Sequence, residues 1–196
     1  MIKDLFQPFN PGCVWHVVTY DQTTGDVRNR SSTPQGLGLD TVWSRGQAWT
    51  IYGYTMSFRY SEAPRYLDQA MAAADCYIRL LTACCGADTP FKWAPWWDFN
   101  ITSAQMSVDT SSMMIAASAL AELSWYAPTT DAARYKAFAT TLVDSATQNF
   151  LFTASENDAV LRNGTVTYPL AGLSISYGDY YYLEALMKLG DSAAAF

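Results

Sequence analysis

Helix-start signals recur along this chain near residues 43, 109 and 178, about 66 and 69 residues apart, and each follows a long loop rich in aromatic side chains. Like segments at a near-constant interval mark a repeat architecture, in which each unit buries its apolar face only by stacking on its neighbours. Ser44 to Tyr60 carries Trp49, Tyr52, Met56 and Arg59-Tyr60 at helical spacing. Pro64 suits a first helical turn, and Leu67, Met71, Ala74, Cys76, Tyr77, Ile78 and Leu81 predict a second helix to about Thr82, with Gly86 and Pro90 beyond it. Asp109-Thr-Ser-Ser offers N-caps, whose side-chain oxygens accept from the free amides of a first turn. The third helix runs from there through Met113, Ile115, Ala116 and Leu120 to Trp125, and Pro128 breaks it. A fourth spans Asp131 to about Gln148, carrying Tyr135, Phe138, Leu142 and Val143, and a fifth begins near Tyr177-Gly-Asp179 and reaches Leu189.

The first and third helices are each answered by a more ordinary partner, so the pattern is one of helical hairpins. If the hairpins close into a ring, the first helix of each lies inside and the second outside. The inner helices start with small residues (Ser44, Gly46, Ala48; Ser111, Ser112; Gly178), which let them crowd together. Their free amides then face one rim, where the helix dipoles favour a bound carboxylate. Two and a half hairpins do not close a ring, because the flanks would expose apolar faces. The chain is therefore expected to have a partner or to be part of a longer protein.

The remaining segments are irregular. Residues 1–42 hold Pro8, Pro11, Pro34 and the polar run Asp21-Gln-Thr-Thr-Gly25, a hairpin or loop signal. Val14 to Val18 reads as a short strand. The second loop, residues 87–108, contains Pro90-Phe-Lys-Trp-Ala-Pro-Trp-Trp-Asp98, and the third, roughly 152–177, has a turn at Asn163-Gly164.

Aromatic residues make up 15% of the chain, which serves either a large core or a cleft paved with rings, and both can hold at once. Rings suit sugars because pyranose C–H faces stack on them. The net charge of −6 and the scattered Lys and Arg exclude electrostatic attraction to nucleic acid. No apolar run approaches the roughly 20 residues of a membrane span. No apolar stretch follows Lys3, so the N-terminus is not a signal peptide. The compartment stays open: cytoplasmic, or secreted if the N-terminus is truncated. Sequons at Asn29, Asn100 and Asn163 leave secretion possible. Cys13, Cys76, Cys84 and Cys85 have no metal-ligand spacing, and the adjacent Cys84 and Cys85 are expected as buried or half-buried thiols rather than a bridge.

Four ordered motifs then carry a family resemblance over most of the chain from about residue 13. They are Trp43-Ser-Arg-Gly-Gln-Ala-Trp49 with Ile51-Tyr-Gly-Tyr-Thr-Met-Ser-Phe-Arg-Tyr60, Asp98-Phe99, Asp109-Thr-Ser-Ser-Met-Met-Ile-Ala-Ala-Ser118, and Ser174-Ile-Ser-Tyr-Gly-Asp-Tyr-Tyr-Tyr-Leu-Glu-Ala-Leu186. Together they resemble glycoside hydrolase family 88, the unsaturated glucuronyl hydrolases. The related unsaturated rhamnogalacturonyl hydrolases usually show Arg-Gly-Asn-Gly-Trp where this chain has Arg45-Gly-Gln-Ala-Trp49. The resemblance implies an all-α fold: an incomplete (α/α)6 toroid of helical hairpins with long aromatic loops and a short N-terminal β-hairpin. Residues 1–196 form a single domain, the C-terminal part of a six-hairpin glycosidase, with 1–42 as a loop and hairpin segment and 43–196 as the helical hairpins.

The same resemblance implies a substrate: an oligosaccharide left by a polysaccharide lyase, ending in a 4,5-unsaturated uronic acid. A carboxyl group protonates C4, water adds at C5, and the hemiketal rearranges to release the next sugar. General acid–base work of this kind needs carboxyls in different protonation states. No metal or organic cofactor is implied. The family's two catalytic carboxylates lie upstream of the Trp-Ser-Arg-Gly-Gln motif. Here only Asp4, Asp21, Asp26 and Asp40 precede it, and none has a matching context. The chain is read as the second half of the domain, keeping substrate contacts without the acid–base pair and inactive when isolated. The alternative is a non-catalytic carbohydrate-binding or scaffold protein.

The substrate-binding candidates are His16, Gln35, Trp43, Arg45, Ser174 and Ser176. A lone His in a loop reads as a packing residue, yet Trp15-His-Val-Val-Thr-Tyr-Asp21 resembles the stretch that supplies an active-site His. Gln35 lies eight residues before Trp43, as a substrate-contacting Gln does in the family; otherwise it is a solvated loop residue. Trp43 either staples the first helix or walls the sugar subsite. Arg45 opposes the helix dipole, which asks for a carboxylate or sugar partner. Ser174 and Ser176 either cap the last helix or hold the uronate carboxyl. Asp109 reads as an N-cap, and Gln47, Trp49, Asp98 and Asp179 as structural.

Overall fold

The computed structural model describes residues 2–102, 106–153 and 158–190. Among these residues are five α-helices, α1 (Ser44–Ser61), α2 (Pro64–Cys85), α3 (Thr110–Leu123), α4 (Thr129–Asn149) and α5 (Ser176–Gly190). The three inner helices begin 66 residues apart. α3 packs between α1 and α5, while α2 backs α1 and α4 backs α3. Two layers result, with α1, α3 and α5 inside and α2 and α4 outside. Every residue of α3 is buried, Glu122 among them through its pair with Lys188.

The first three helix starts match their predicted positions, and local chemistry sets those of α2 and α3. Pro64 opens α2, and the Asp109 carboxylate accepts from the Ser111 amide as the N-cap of α3. α4 starts at Thr129, two residues earlier than predicted, because Pro128 leaves Thr129 free to enter the helix. α2 runs on to Cys85 because no breaker precedes Gly86, whereas α3 stops at Leu123, short of Trp125.

The N-terminal strand lies three residues later than predicted. β1 (Val17–Tyr20) pairs antiparallel with β2 (Val27–Ser31), Val17 opposite Ser31. Between them Asp21 accepts from the Thr23 and Thr24 amides. Val14 and Trp15 stay out of the ladder because their amides are taken elsewhere, by the Gln47 side-chain oxygen at 3.0 Å and the Leu5 carbonyl at 2.8 Å. Gln47 is wholly buried and also donates to the carbonyls of Gly12 and Ala73. One amide thus fastens the N-terminal segment to both helices of the first hairpin. Gly12 presses its backbone on α2 at φ +75°; a Cβ there would lie 2.0 Å from the Ala72 carbonyl oxygen.

The cysteines correct the expectation of free thiols. Cys13 is bonded to Cys76, closing a loop of sequence separation 63, and the two sit with Val42 in a small core of their own. Cys84 and Cys85 are bonded to each other. The first pairing depends on a fold that brings residue 13 onto α2, which spacing alone does not reveal.

At the C-terminal ends of the inner helices the buried Lys188 reaches Glu122 at 2.8 Å and Glu184 at 2.9 Å, and Arg59 meets Glu122 at 3.2 Å. These pairs tie α1, α3 and α5 together at the rim opposite their starts.

Among the described residues, one face of α1 and one of α5 have no α-helix against them, and the α1 face is met instead by the N-terminal segment, with the Phe6 ring 6.2 Å from that of Tyr54. On α1, Gly46, Thr50, Gly53, Tyr54 and Ser57 share one face and, with Trp15, His16 and Trp43, line a cavity of about 400 Å³. On α5, Tyr180, Leu183 and Met187 are 58%, 52% and 54% exposed at i, i+3 and i+7. Among the described residues no helix is long and apolar enough to cross a membrane.

Candidate functional site

The starts of α1, α3 and α5 meet at one rim, and Arg45 is the link between them. Its guanidinium is paired with Asp109 and also donates to Ser111 Oγ at 3.2 Å, the Thr165 carbonyl at 2.7 Å and the Val166 carbonyl at 2.8 Å. Arg45 is 2% exposed and Asp109 0%. The unfavourable cation at the α1 start is therefore offset by a carboxylate from the start of α3, the kind of partner its position called for. The Gly178 backbone at the α5 start packs against Ser111, where a Cβ would sit 3.3 Å from the serine Cβ.

Four side chains stack in series at this rim. The His16 ring lies 4.5 Å from that of Trp43, Trp43 lies 5.0 Å from the Arg45 guanidinium, and Arg45 lies 5.5 Å from the Tyr177 ring. The Trp43 ring also covers Gly46, where a Cβ would come within 2.6 Å of it. His16 contacts Ser32 Oγ and Thr33 Oγ1 through its two ring nitrogens, each at 3.2 Å. Burial lowers the His16 pKa, with Asp98 acting in the opposite sense, so the neutral ring is favoured. Burial raises the Tyr177 hydroxyl, and Arg45 opposes it.

The loop bearing Gln35 is positioned by Asp98. This wholly buried carboxylate accepts from the Leu37 amide at 3.0 Å, Thr41 Oγ1 at 2.8 Å and the Asn100 amide at 3.0 Å. Asn100 in turn accepts from the Val42 amide. Across the rim, Thr167 Oγ1 donates to the Pro34 carbonyl, beside Gln35. Gly164 exchanges both backbone hydrogen bonds with Leu173, beside Ser174. Gln35 is partly exposed, Ser174 is exposed on the segment leading into α5, and Ser176 is exposed as its first residue.

Trp43 and Arg45 thus meet at this rim with His16 stacked on Trp43, and the segments bearing Gln35 and Ser174 are fastened beside it through Pro34 and Leu173. The three acids of the rim are engaged: Asp98 and Asp109 as described, and Asp179 with the Val160 and Leu161 amides. Among the described residues no cluster of His, Cys, Asp or Glu could hold a metal ion. Sequence reasoning did not single out Tyr177 or the 165–166 carbonyls; the only signal was Tyr177's place in the Ser174–Leu186 motif.

No family model matches the chain. It is 38% identical over 195 residues, 95% of its length, to an unsaturated glucuronyl hydrolase of Formosa agariphila, of which it covers 45%. A solved unsaturated glucuronyl hydrolase specific for heparin superposes with a TM-score of 0.82 at 28% identity, over 96% of this chain and 50% of that one. A UGL structure with dGlcA-Glc-Rha-Glc gives a TM-score of 0.83 at 25% identity, over 96% of this chain and 49% of that one. The chain spans about half the length of the curated relatives it matches, and its helices match part of the helical toroid of the solved enzymes.

Proposed function

We propose, taking homology to the unsaturated glucuronyl hydrolases over about half of their length as the premise, that residues 1–196 act as one unit of a glycoside hydrolase of that type. The substrate is an oligosaccharide ending in a 4,5-unsaturated uronic acid, and the reaction is hydration of its double bond. The 38% identity over 95% of the chain carries the reading.

In this reading the unit supplies the substrate-holding half of the ring. Gln35, Trp43, Ser174 and Ser176 face the sugar. His16 and Arg45 support Trp43 from either side, and the free amides at the α5 start receive the uronate carboxylate. The catalytic carboxylates lie outside this unit, a reading supported by Asp98, Asp109 and Asp179, each of which already holds a loop or a helix start. The faces of α1 and α5 that no α-helix covers among the described residues support completion of the ring by further hairpins.

The test is to give the unsaturated chondroitin disaccharide to the isolated chain and to a protein that also carries the preceding hairpins. Loss of the ultraviolet absorbance of the conjugated double bond reports turnover. The longer protein turns over and the isolated chain does not; turnover by the isolated chain overturns the placement of the carboxylates. The engaged state of the rim acids also favours a second reading, a carbohydrate-binding module without catalysis. In that case Trp43→Ala weakens sugar binding and neither protein breaks a bond.

A further inference from the structure

We infer that Tyr168, backed by Trp97, is a stacking platform for a sugar ring of the oligosaccharide beyond its terminal disaccharide. The inference rests on the proposed function and adds a subsite to it. Tyr168 is 40% exposed while Trp97 beneath it is only 3% exposed, and their rings stack with centroids 5.9 Å apart and planes 12° from parallel. An exposed ring anchored flat on a buried one keeps a rigid apolar face toward solvent and loses little freedom when a ligand covers it. Pyranose rings present faces of C–H bonds suited to such a surface.

Its surroundings fix the platform at the lip of the rim. The Tyr168 turn is closed by the bond from the Val166 amide to the Leu170 carbonyl at 3.0 Å, and its base is held by Arg45 at Thr165 and Val166. Thr167 is joined to Pro34, next to Gln35, and Gly164 is paired with Leu173, next to Ser174. The ring therefore stands between the two segments that carry the proposed sugar contacts. Trp97 lies at the start of α1, its carbonyl accepting from the Ser44 amide at 3.1 Å. Leu170 and Leu173, 56% and 42% exposed, extend the apolar lip outward from the tyrosine. A ligand seated at the helix starts and longer than its first sugars leaves the site across this lip.

The experiment measures binding of unsaturated chondroitin disaccharide and tetrasaccharide by calorimetry in the 196-residue chain, which on the proposed reading binds without turnover, and in its Tyr168→Ala, Tyr168→Phe and Tyr168→Leu variants. The expected result is a tetrasaccharide affinity roughly 3- to 10-fold weaker in Tyr168→Ala, the fold-change of one aromatic contact, with disaccharide affinity within about twofold. Tyr168→Phe keeps both affinities because the ring face is the contact. Tyr168→Leu preserves packing on Trp97 and loses the tetrasaccharide preference, which guards against a Tyr168→Ala variant that fails to fold. Equal loss on both ligands, no loss on the tetrasaccharide, or a Phe variant as weak as the Ala variant overturns the platform. Failure of the unaltered protein to bind either sugar overturns the proposed function itself.

Discussion

Replacing Asp109 by Ala strands the Arg45 guanidinium in a site where it is 2% exposed. Removing one partner of a buried ion pair costs about 3–5 kcal/mol, because the other charge stays desolvated without compensation. The change also uncaps α3, where the carboxylate accepts from the Ser111 amide at 3.1 Å, a loss worth about 1 kcal/mol. The two losses share one carboxylate and overlap, so the expected total is about 4 kcal/mol, a large part of a typical stability of about 5–15 kcal/mol. Asp109→Asn keeps a cap of similar quality and should recover about 1 kcal/mol. Arg45→Met alone should cost less, about 2 kcal/mol, because Asp109 keeps the donors of Ser111 and Thr165 and sits at a helix start. In the double variant no unpaired charge remains, and the loss should fall short of the sum by about 2 kcal/mol. Guanidinium unfolding followed by far-ultraviolet circular dichroism measures all four, with constant m-values confirming a common denatured state. A loss below about 1.5 kcal/mol for Asp109→Ala, or losses that simply add, would refute the buried-pair account.

Three further outcomes follow from the same coordinates. His16 is the only histidine, and burial holds its pKa below 6.5. The unfolded chain thus binds more protons between the two pKa values, and the His16 contribution to stability, complete above about 6.5, is lost as pH falls through the unfolded and then the folded value. Its proton NMR signal should titrate below 6.5, and a midpoint above that contradicts the assignment. Reducing Cys13–Cys76, which spans 63 residues, should cost about 4 kcal/mol by loop entropy; melting curves that overlay with and without reductant count against it. Gly53 sits inside α1 with nothing within 4 Å of a Cβ, so Gly53→Ala should stabilise this chain by about 0.5–1 kcal/mol. A loss of stability in a longer protein would instead show that another helix covers this face.

Features set by local chemistry were readable from the sequence. Pro64, Asp109 and the small residues at the inner starts placed the helices because caps and breakers act within one turn. The strand at Val14–Val18 was misplaced because Gln47 and Leu5 claim the amides of Val14 and Trp15, a tertiary event with no local trace. The bridge from Cys13 was hidden for the same reason. Arg45 was legible as a residue in need of a partner, since its charge offends the α1 dipole, yet the partner's identity required Asp109 to be brought across the rim. Tyr168 gave no signal, because its exposure and its stack on Trp97 join segments far apart in the chain.

The reach of Arg45 also bears on how the protein is made. Its carboxylate partner comes 64 residues later, and its carbonyl acceptors 120 and 121 residues later. At a synthesis rate of about 5–20 residues per second, the carboxylate follows the Arg45 codon by roughly 3–13 s and the carbonyls by roughly 6–24 s. The first hairpin can close on the ribosome, with Gln47 already bound to Gly12, Val14 and Ala73. The rim where the inner helix starts meet is completed last, when the 165–166 segment and the α5 start at Ser176 arrive.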